Sequence, residues 1–253
     1  MNDEAKYLFD LQGYITVPKA LTKPQLRALN RILDQQAGEP DEPDFQTRRF
    51  KDLLDWGKPY RNLIDNPRIT PYLEAIIGPR IRLDHIYADI IRGGLSPIGA
   101  NLHGGGAPFA PSMYYRFQDG RMYNGLVVVA YNLHDVGPDD GGFACVPGSH
   151  KANFPIPSGM KDMRKTIHPA VKRVTGPAGT AILFTEALTH GPLPWTGAHE
   201  RRTVFYKYSP APVSWSAEYF DASRYPGLTP KQREFLEPPN NRYKGRPTAP
   251  DLS

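Results

Sequence analysis

Hydrophobic residues in the first part of the chain follow a helical spacing. Apolar side chains recur three or four residues apart from Leu26 to Leu33, and residues 22–25 ahead of them have the form of a capping box. This pattern predicts a helix to about residue 36. A short helix is predicted over residues 3–11, a strand over 14–17, and further short helices over 64–77. We therefore expect residues 1–79 to be mainly helical.

A different pattern begins at residue 80. Residues 81–87 show the period of two that is typical of a strand. Further short strands are predicted, each bounded by Gly, Pro, Asn or Asp, over residues 126–133, 143–146, 170–174, 180–184 and 203–208. The pattern predicts a mainly β fold with flanking α-helices, an antiparallel sandwich or jelly roll over residues 80–210. Residues 225–253 are proline-rich and predict a tail on the surface, so that residues 1–253 form a single domain.

Composition narrows the class of protein. With 40% hydrophobic, 11% aromatic and 23% charged residues, the chain has the make-up of a globular domain with a core. The longest clean apolar run is residues 126–131, far short of the roughly 20 residues that a membrane span needs. The acidic start at Asp3 and Glu4 lacks the basic and apolar regions of a secretory signal, which predicts a cytoplasmic protein. Cys145 is the single cysteine and excludes an internal disulfide.

Local motifs exclude several kinds of enzyme. Residues 103–106, His-Gly-Gly-Gly, are similar to the oxyanion loop of esterases, but the Gly-x-Ser-x-Gly elbow that must accompany that loop is missing. The sequence has no His-Glu-x-x-His zinc motif, no phosphate-binding loop and no dinucleotide-binding glycine string. Chemistry must therefore come from residues that lie far apart in the sequence.

Two of the seven histidines stand out by their context. His103 follows a strand region and enters the glycine loop, whereas His190 follows the apolar strand over residues 180–184. Eleven residues after His190, Arg201 begins an aromatic strand. A cation at that position is costly to bury unless it meets an anion. Taken singly, each histidine is more often structural than a ligand, so this spacing leaves both interpretations open.

Three segments in a fixed order carry a family resemblance. They are residues 9–14 (Phe-Asp-Leu-Gln-Gly-Tyr), residues 129–151, which end in Pro-Gly-Ser-His-Lys, and the spacing of His190 and Arg201. Over about residues 7–210, this order resembles the phytanoyl-CoA dioxygenase-like family of Fe(II)/2-oxoglutarate oxygenases. The resemblance implies a double-stranded β-helix, or jelly roll, with iron in its mouth, and the cofactors Fe(II), 2-oxoglutarate and O₂.

The resemblance also implies roles for individual residues. His103 and His190 would bind the iron. Arg201 would bind the distal carboxylate of 2-oxoglutarate, a role that suits the planar fork of a guanidinium group. Tyr131 and Asn132, on the family's central strand, would line the pocket of that cosubstrate.

Residue 105 departs from the family pattern. The family places Asp or Glu two residues after the first histidine, which completes a triad of two histidines and one carboxylate. This sequence has Gly105 there. In halogenases that resemble the family, Gly or Ala at this place lets chloride bind the metal directly. The resemblance therefore predicts a halogenase that uses chloride to chlorinate an unactivated aliphatic C–H bond.

Two alternatives stay open. Asp89, Asp119 or Glu186 could reach in as the carboxylate ligand, in which case the enzyme is a hydroxylase. The site could also have lost iron and become a non-catalytic jelly-roll binding module. Chlorinated product, oxygenated product, or the absence of iron binding would distinguish the three.

Charge gives a prediction about the substrate. Residues 151–173 hold six Lys and Arg residues against one Asp, and so carry the whole formal excess of +5. A charge run is usually a solvated surface, but a basic flap at the barrel mouth would attract an anionic small molecule such as a phosphate ester. Lys161, Arg164 and Lys165 are the candidate substrate-binding residues of this flap.

Residues 114–117, Tyr-Tyr-Arg-Phe, mix aromatic and basic side chains as nucleic-acid surfaces do. No basic stripe accompanies them, so a packing or substrate-pocket role is predicted for Tyr115 and Arg116, without a nucleic-acid polymer as partner.

The sequence also resembles the halogenases that chlorinate the sugar of an adenine deoxynucleotide in antibiotic biosynthesis. This resemblance implies a nucleotide as the substrate.

Overall fold

The computed structural model describes residues 1–38, 47–93 and 100–241. In this part of the chain the α-helices are α1 (Asp3–Gln12), α2 (Lys23–Ala37), α3 (Lys58–Arg61), α4 (Thr70–Ile77) and α5 (Pro230–Phe235). The strands are β1 (Tyr14–Val17), β2 (Thr47–Phe50), β3 (Ile81–Ile91), β4 (Tyr115–Gln118), β5 (Arg121–Asn124), β6 (Val127–Asn132), β7 (Gly142–Cys145), β8 (Lys172–Arg173), β9 (Ala181–Thr185), β10 (His190–Leu193) and β11 (Arg201–Pro210).

The two longer amino-terminal helices begin and end where their sequences predict. The Asn2 side chain accepts a hydrogen bond from the backbone N–H of Ala5, and α1 ends at Gly13 in the left-handed conformation. Helix α2 begins with the reciprocal capping box between Thr22 and Gln25. Local chemistry thus fixes these helix ends before any packing is considered.

A six-stranded antiparallel sheet forms the main wall of the barrel, in the order β1-β9-β6-β11-β3-β2. Side chains of successive residues point to opposite faces of a strand. On β6, Val127, Val129 and Tyr131 pack against the helices, whereas Val128 and Ala130 pack on the other face. The sheet therefore has an outer face covered by helices and an inner face that lines the barrel.

The inner face of this sheet packs on a smaller antiparallel sheet of order β10-β7-β8. Phe143 of the small sheet meets Phe184 of the large one, with ring centroids 4.5 Å apart. The two facing sheets agree with the predicted jelly roll. An extended segment at residues 101–103 adds to the free edge of β10.

Several elements differ from the sequence prediction. Strand β2 has two charged residues in four, β10 contains Gly191 and Pro192, and the hairpin β4–β5 turns at Asp119-Gly120, where both residues have positive φ. Such short or turn-rich strands are formed by pairing with a neighbour rather than by their own propensity.

The predicted surface tail is wrong for residues 225–241. Tyr225, Leu228, Phe235 and Leu236 are buried in the core beneath the large sheet, and Thr229 begins α5 with a second capping box. Burial of these four apolar side chains fixes the segment despite its proline content. Residues 242–253 lie outside the described residues.

No helix in the described part of the chain combines the length and apolar character that crossing a membrane requires.

Candidate functional site

His103 and His190 lie side by side on the inner face of the small sheet. His190 is the first residue of β10, and the backbones of the two residues exchange N–H···O bonds of 2.8 Å in both directions. Because such a pair shares one face, the two rings meet with centroids 4.3 Å apart. Residues 87 positions apart in sequence are thus neighbours in the fold.

The backbone fixes the tautomer of each ring. Nδ1 of His190 lies 2.7 Å from the carbonyl oxygen of Leu188, and Nδ1 of His103 lies 3.2 Å from that of Asn101. A carbonyl only accepts, so Nδ1–H donates in both rings, and Nε2 is the nitrogen that carries the lone pair when the ring is neutral. Burial lowers the pKa of His190 to about 4, which keeps its ring neutral. This is how metal-binding histidines are oriented.

The glycine loop has backbone reasons for its composition. A Cβ at Gly104 would lie 2.6 Å from the Leu188 carbonyl oxygen, and φ there is +75°. At Gly105, φ is +116°, and a Cβ would meet Thr189 Oγ1 at 3.0 Å but neither histidine ring. Both positions are left-handed, a conformation that favours glycine. The absence of a side chain at Gly105 is therefore explained by the turn, independently of any halide.

A buried carboxylate lies next to the histidines. Glu186 is 5% exposed, its Oε2 is 3.8 Å from His190 Nε2, and its Oε1 accepts a 2.5 Å hydrogen bond from Lys207 Nζ. Burial alone would raise the pKa of Glu186, but the charge of Lys207 and its hydrogen bond to Oε1 outweigh it and hold the pKa at about 2. Glu186 is therefore an anion at neutral pH.

The other two carboxylates considered from the sequence do not face the histidines with a free oxygen. Both carboxylate oxygens of Asp89, on β3, accept hydrogen bonds from the Arg49 guanidinium, at 2.8 and 2.7 Å. Asp119 is exposed in the turn of the β4–β5 hairpin. Within residues 1–38, 47–93 and 100–241, no group of three or more His, Cys, Asp and Glu side chains is already arranged to hold a metal ion.

Unpartnered polar atoms collect at the Arg201 end of the inner face. Arg201 is 5% exposed, and its buried Nε has no hydrogen-bond partner among the described residues; the same is true of Thr203 Oγ1 and Asn132 Nδ2. Arg201 and Thr203 share a face because they are two apart on β11, and Asn132 is the cross-strand partner of Thr203. Such atoms are costly to bury without a partner, so this pocket suits a carboxylate.

Tyr131 does not join this pocket. Its neighbour Asn132 faces the barrel, so Tyr131 points to the helices, where its hydroxyl accepts a 3.3 Å hydrogen bond from Asn66 Nδ2. The prediction that Tyr131 lines the cosubstrate pocket is therefore corrected by the alternation of the strand. Thr203 was not predicted, although its spacing from Arg201 on one strand face was a usable signal.

The basic segment, residues 151–173, lies against residues 100–102, which lead to His103. Leu102 N–H donates to the Lys161 carbonyl at 2.8 Å, and Met163 N–H donates to that of Ala100 at 3.0 Å. Lys161 and Lys165 are exposed, whereas the guanidinium of Arg164 is held in a bidentate pair by Asp162 at 2.8 Å. Of the three predicted substrate-binding residues, Arg164 therefore has its charge offset by Asp162, whereas Lys161 and Lys165 do not share this pair.

Tyr115 and Arg116 line a separate surface cavity of about 440 Å³. The Tyr115 hydroxyl donates to Asp10, and its ring packs edge-on against His150. Gly106 also lines the cavity, but neither candidate metal-binding histidine does. The cavity therefore adjoins the glycine loop without containing the paired histidines.

Comparison with known proteins gives matches of sequence and of fold. The family described as phytanoyl-CoA dioxygenase (PhyH) matches residues 99–203, a range that includes His103, His190 and Arg201. L-Proline trans-4-hydroxylase from Streptomyces griseoviridis is 21% identical over 239 residues, which cover 81% of this chain and 85% of the relative.

Solved structures show the same fold. HygX from Streptomyces hygroscopicus, with nickel and 2-oxoglutarate bound, superposes with a TM-score of 0.75 at 25% identity, covering 85% of this chain and 90% of HygX. HygX with nickel, 2-oxoglutarate and hygromycin B gives a TM-score of 0.75 at 23% identity, covering 90% and 95% of the two chains. The epimerase SnoN, in complex with Fe³⁺, alpha-ketoglutarate and nogalamycin RO, gives 0.59 at 18% identity, covering 83% and 84%.

The solved structures confirm the predicted jelly roll, and residues 99–203 are similar in sequence to the phytanoyl-CoA dioxygenase family.

Proposed function

We propose that this protein is an Fe(II)/2-oxoglutarate-dependent oxygenase that hydroxylates an aliphatic carbon of a small molecule. The observation that carries the proposal is the pairing of His103 and His190, each with Nδ1 on a backbone carbonyl and Nε2 free, within one barrel that also holds Arg201. Paired imidazole ligands suit a divalent first-row metal. The unpartnered Nε of Arg201 suits a carboxylate of 2-oxoglutarate.

The residues of the chain would divide the work as follows. His103 and His190 would hold Fe(II), and Arg201, with Asn132 and Thr203 beside it, would orient 2-oxoglutarate. Bound together, iron and 2-oxoglutarate would supply the activation of O₂ for attack on a C–H bond. The apolar inner face around Phe184 and Phe143 would exclude water from that reaction.

Hydroxylation is favoured over chlorination by the charge next to His190. Glu186 is an anion in a buried position, and a halide bound nearby would be repelled by it. The curated relative is itself named a hydroxylase. Chlorination remains the second candidate because Gly105 brings no carboxylate at the second position after His103.

For the substrate, we propose a small anionic molecule, with nucleotides among the candidates. Lys161 and Lys165 are exposed on the segment that is hydrogen-bonded to residues 100–102, just before His103, where they would attract an anion. The structure of HygX with hygromycin B adds aminoglycosides to the classes worth testing.

The test is product analysis. The protein is loaded without oxygen with Fe(II) and 2-oxoglutarate, then given O₂ and a panel of nucleotides, aminoglycosides and amino acids, with and without chloride. We expect succinate release coupled to a product that has gained one oxygen atom, equally in both salts. A chloride-dependent product with the isotope pattern of chlorine would overturn hydroxylation in favour of halogenation. Failure to bind iron or release succinate would indicate a binding module.

A further inference from the structure

Two of the described carboxylates of the barrel, Asp89 and Glu186, differ in how their oxygens are bonded. Asp89 is fully engaged by Arg49, and both of its oxygens are used. Glu186 differs, because only its Oε1 is bonded, to Lys207, while its Oε2 faces the His190 ring. A buried anion that keeps one oxygen free beside two histidines is available to a cation.

The distances agree with a shared metal ion. Ligand atoms about 2.1 Å from a metal and at right angles to each other lie about 3 Å apart. Glu186 Oε2 and His190 Nε2 are 3.8 Å apart, within about 1 Å of that separation. The His103 ring is next to the His190 ring, and the charge of Glu186 acts on both.

The backbone holds Glu186 in this place. It follows β9 directly, and its N–H donates to the Leu126 carbonyl at 2.9 Å. The loop that contains Glu186 is in close contact with the glycine loop, since a Cβ at Gly104 would lie 2.8 Å from the Glu186 carbonyl oxygen. The same contact therefore links Glu186 to the loop that lacks the expected carboxylate.

We propose that Glu186 is the carboxylate ligand of the metal, in place of a side chain at residue 105. This inference rests on the proposed function of the site. Glu186 would complete a set of two histidines and one carboxylate, with the third ligand from the loop after β9. Lys207, bonded to Oε1, offsets part of the charge of Glu186 in a site that must also take the 2-oxoglutarate dianion.

The proposal is tested by metal binding rather than by turnover. Co(II), whose visible spectrum reports its ligands, is titrated into the wild type, Glu186→Gln and Asp89→Asn, and Fe(II) affinity is measured without oxygen by calorimetry. Loss of the ligand should weaken Fe(II) binding at least about tenfold and change the Co(II) spectrum. Asp89→Asn removes the same charge from the same barrel and should leave the Fe(II) affinity and the Co(II) spectrum unchanged.

Two further variants separate a ligand from a structural ion pair. In Glu186→Gln with Lys207→Met, both charges are gone and no unpaired lysine remains buried; metal binding should still be weak. In Glu186→Ala, added formate should restore affinity by occupying the vacated position. Wild-type affinity in the double variant, or an unchanged Co(II) spectrum in Glu186→Gln, would overturn the proposal.

His103→Ala distinguishes failure of this inference from failure of the proposed function. If His103→Ala abolishes Fe(II) binding while the Glu186 variants bind normally, Glu186 is not a ligand but the two-histidine site stands. If the wild type binds no Fe(II), or His103→Ala binds it as tightly as the wild type, the proposed function itself fails.

Discussion

At the scale of single residues, Gly104 sets the approach of the glycine loop to the loop before His190. A Cβ there would meet the backbone oxygens of Leu188 at 2.6 Å and Glu186 at 2.8 Å. Backbone atoms cannot rotate away as the end of a side chain can, so the contact has to be relieved by moving one of the loops. The geometry of the histidine pair thus depends on a position that bears no functional group.

We predict that Gly104→Ala destabilises the protein more than Gly120→Ala. The two glycines have nearly the same φ, +75° and +73°, but a Cβ at Gly120 meets nothing within 4 Å. Both variants lose about 1 kcal/mol from the left-handed conformation, and Gly104→Ala loses about 1–3 kcal/mol more from the clash. Urea unfolding measures the difference. Equal losses in the two variants would contradict the close approach.

A second residue-scale prediction concerns Arg201. Arg201→Lys keeps the positive charge but loses the planar fork, so 2-oxoglutarate binding should weaken about tenfold or more, with little change in Fe(II) affinity. The matched control is Arg202→Gln, because Arg202 points to the other face and pairs with Asp34 and Glu200. Calorimetry with 2-oxoglutarate on the iron-loaded protein measures the affinity of both variants for the cosubstrate. A larger loss in the Arg202 variant would refute the assigned pocket.

Individual candidate residues could be singled out from the sequence where a motif marked them. His103, His190 and Arg201 come from spacing and resemblance, and the structure brings the two histidines together. The face of Tyr131 was not predictable in the same way. All six residues of β6 are buried, so the sequence there has no polar side from which to read which residues face the barrel.

At the scale of elements, Asp84 ties β3 to the loop after β11. Its carboxylate accepts hydrogen bonds from the backbone N–H groups of Trp215 and Ser216, both at 3.0 Å, and from Arg82 at 2.6 Å. Burial would raise the pKa of Asp84, but its hydrogen bonds with His85 and with the Trp215 N–H, together with the charge of Arg82, lower it to about 2. The ionised carboxylate therefore holds the two elements together.

This gives a pH prediction with a definite sign. A carboxyl whose pKa falls from about 3.9 in the unfolded chain to about 2 in the folded one stabilises the fold above pH 4. Its contribution, on the order of 2 kcal/mol, is lost as the pH falls from about 4 towards 2. In Asp84→Asn, the unfolding free energy should be lower at pH 7 and the gap to wild type should narrow over that window.

Asp162→Asn is the control for this experiment. Asp162 also has a pKa of about 2, through its hydrogen bonds with Arg164, but it stands on the surface, where solvent screens the pair. Its removal should leave urea unfolding close to wild type at every pH. A gap between Asp84→Asn and wild type that stays constant down to pH 2 would contradict the role given to Asp84.

Elements with local signals were predicted well, and elements formed by pairing were not. The capping box of α2 is visible in four residues. Strand β10 contains Gly191 and Pro192 and exists because β7 and the residues around His103 pair with it. The Asp119-Gly120 turn was a usable hairpin signal, since this dipeptide suits a turn with two positive φ angles.

At the scale of the whole molecule, the fold brings the basic segment to the edge of the sheet that carries His103. The formal excess of charge is concentrated there in the sequence, and residues 161–163 are bonded to residues 100–102 in the structure. An approaching anion would therefore meet positive charge close to the candidate site.

We predict that neutralising this charge affects the capture of an anionic substrate. Lys161→Gln with Lys165→Gln should raise KM for a phosphorylated substrate and flatten its dependence on ionic strength, with little change in kcat. The control variant, Lys6→Gln with Lys231→Gln, removes the same charge on α1 and α5. It should change neither KM nor its dependence on ionic strength. Unchanged KM and salt dependence in the first variant would contradict electrostatic capture by this segment.

The central claim is that His103 and His190 together bind the iron on which 2-oxoglutarate turnover depends. The most direct measurement is an oxygen-free Fe(II) titration of the wild type and His103→Ala, followed by O₂ and quantification of succinate. His103 is exposed, so its removal should leave the fold intact. We predict one Fe(II) per chain and succinate release in the wild type, and loss of both in the variant. Equal iron binding and equal succinate in the two proteins would contradict the account.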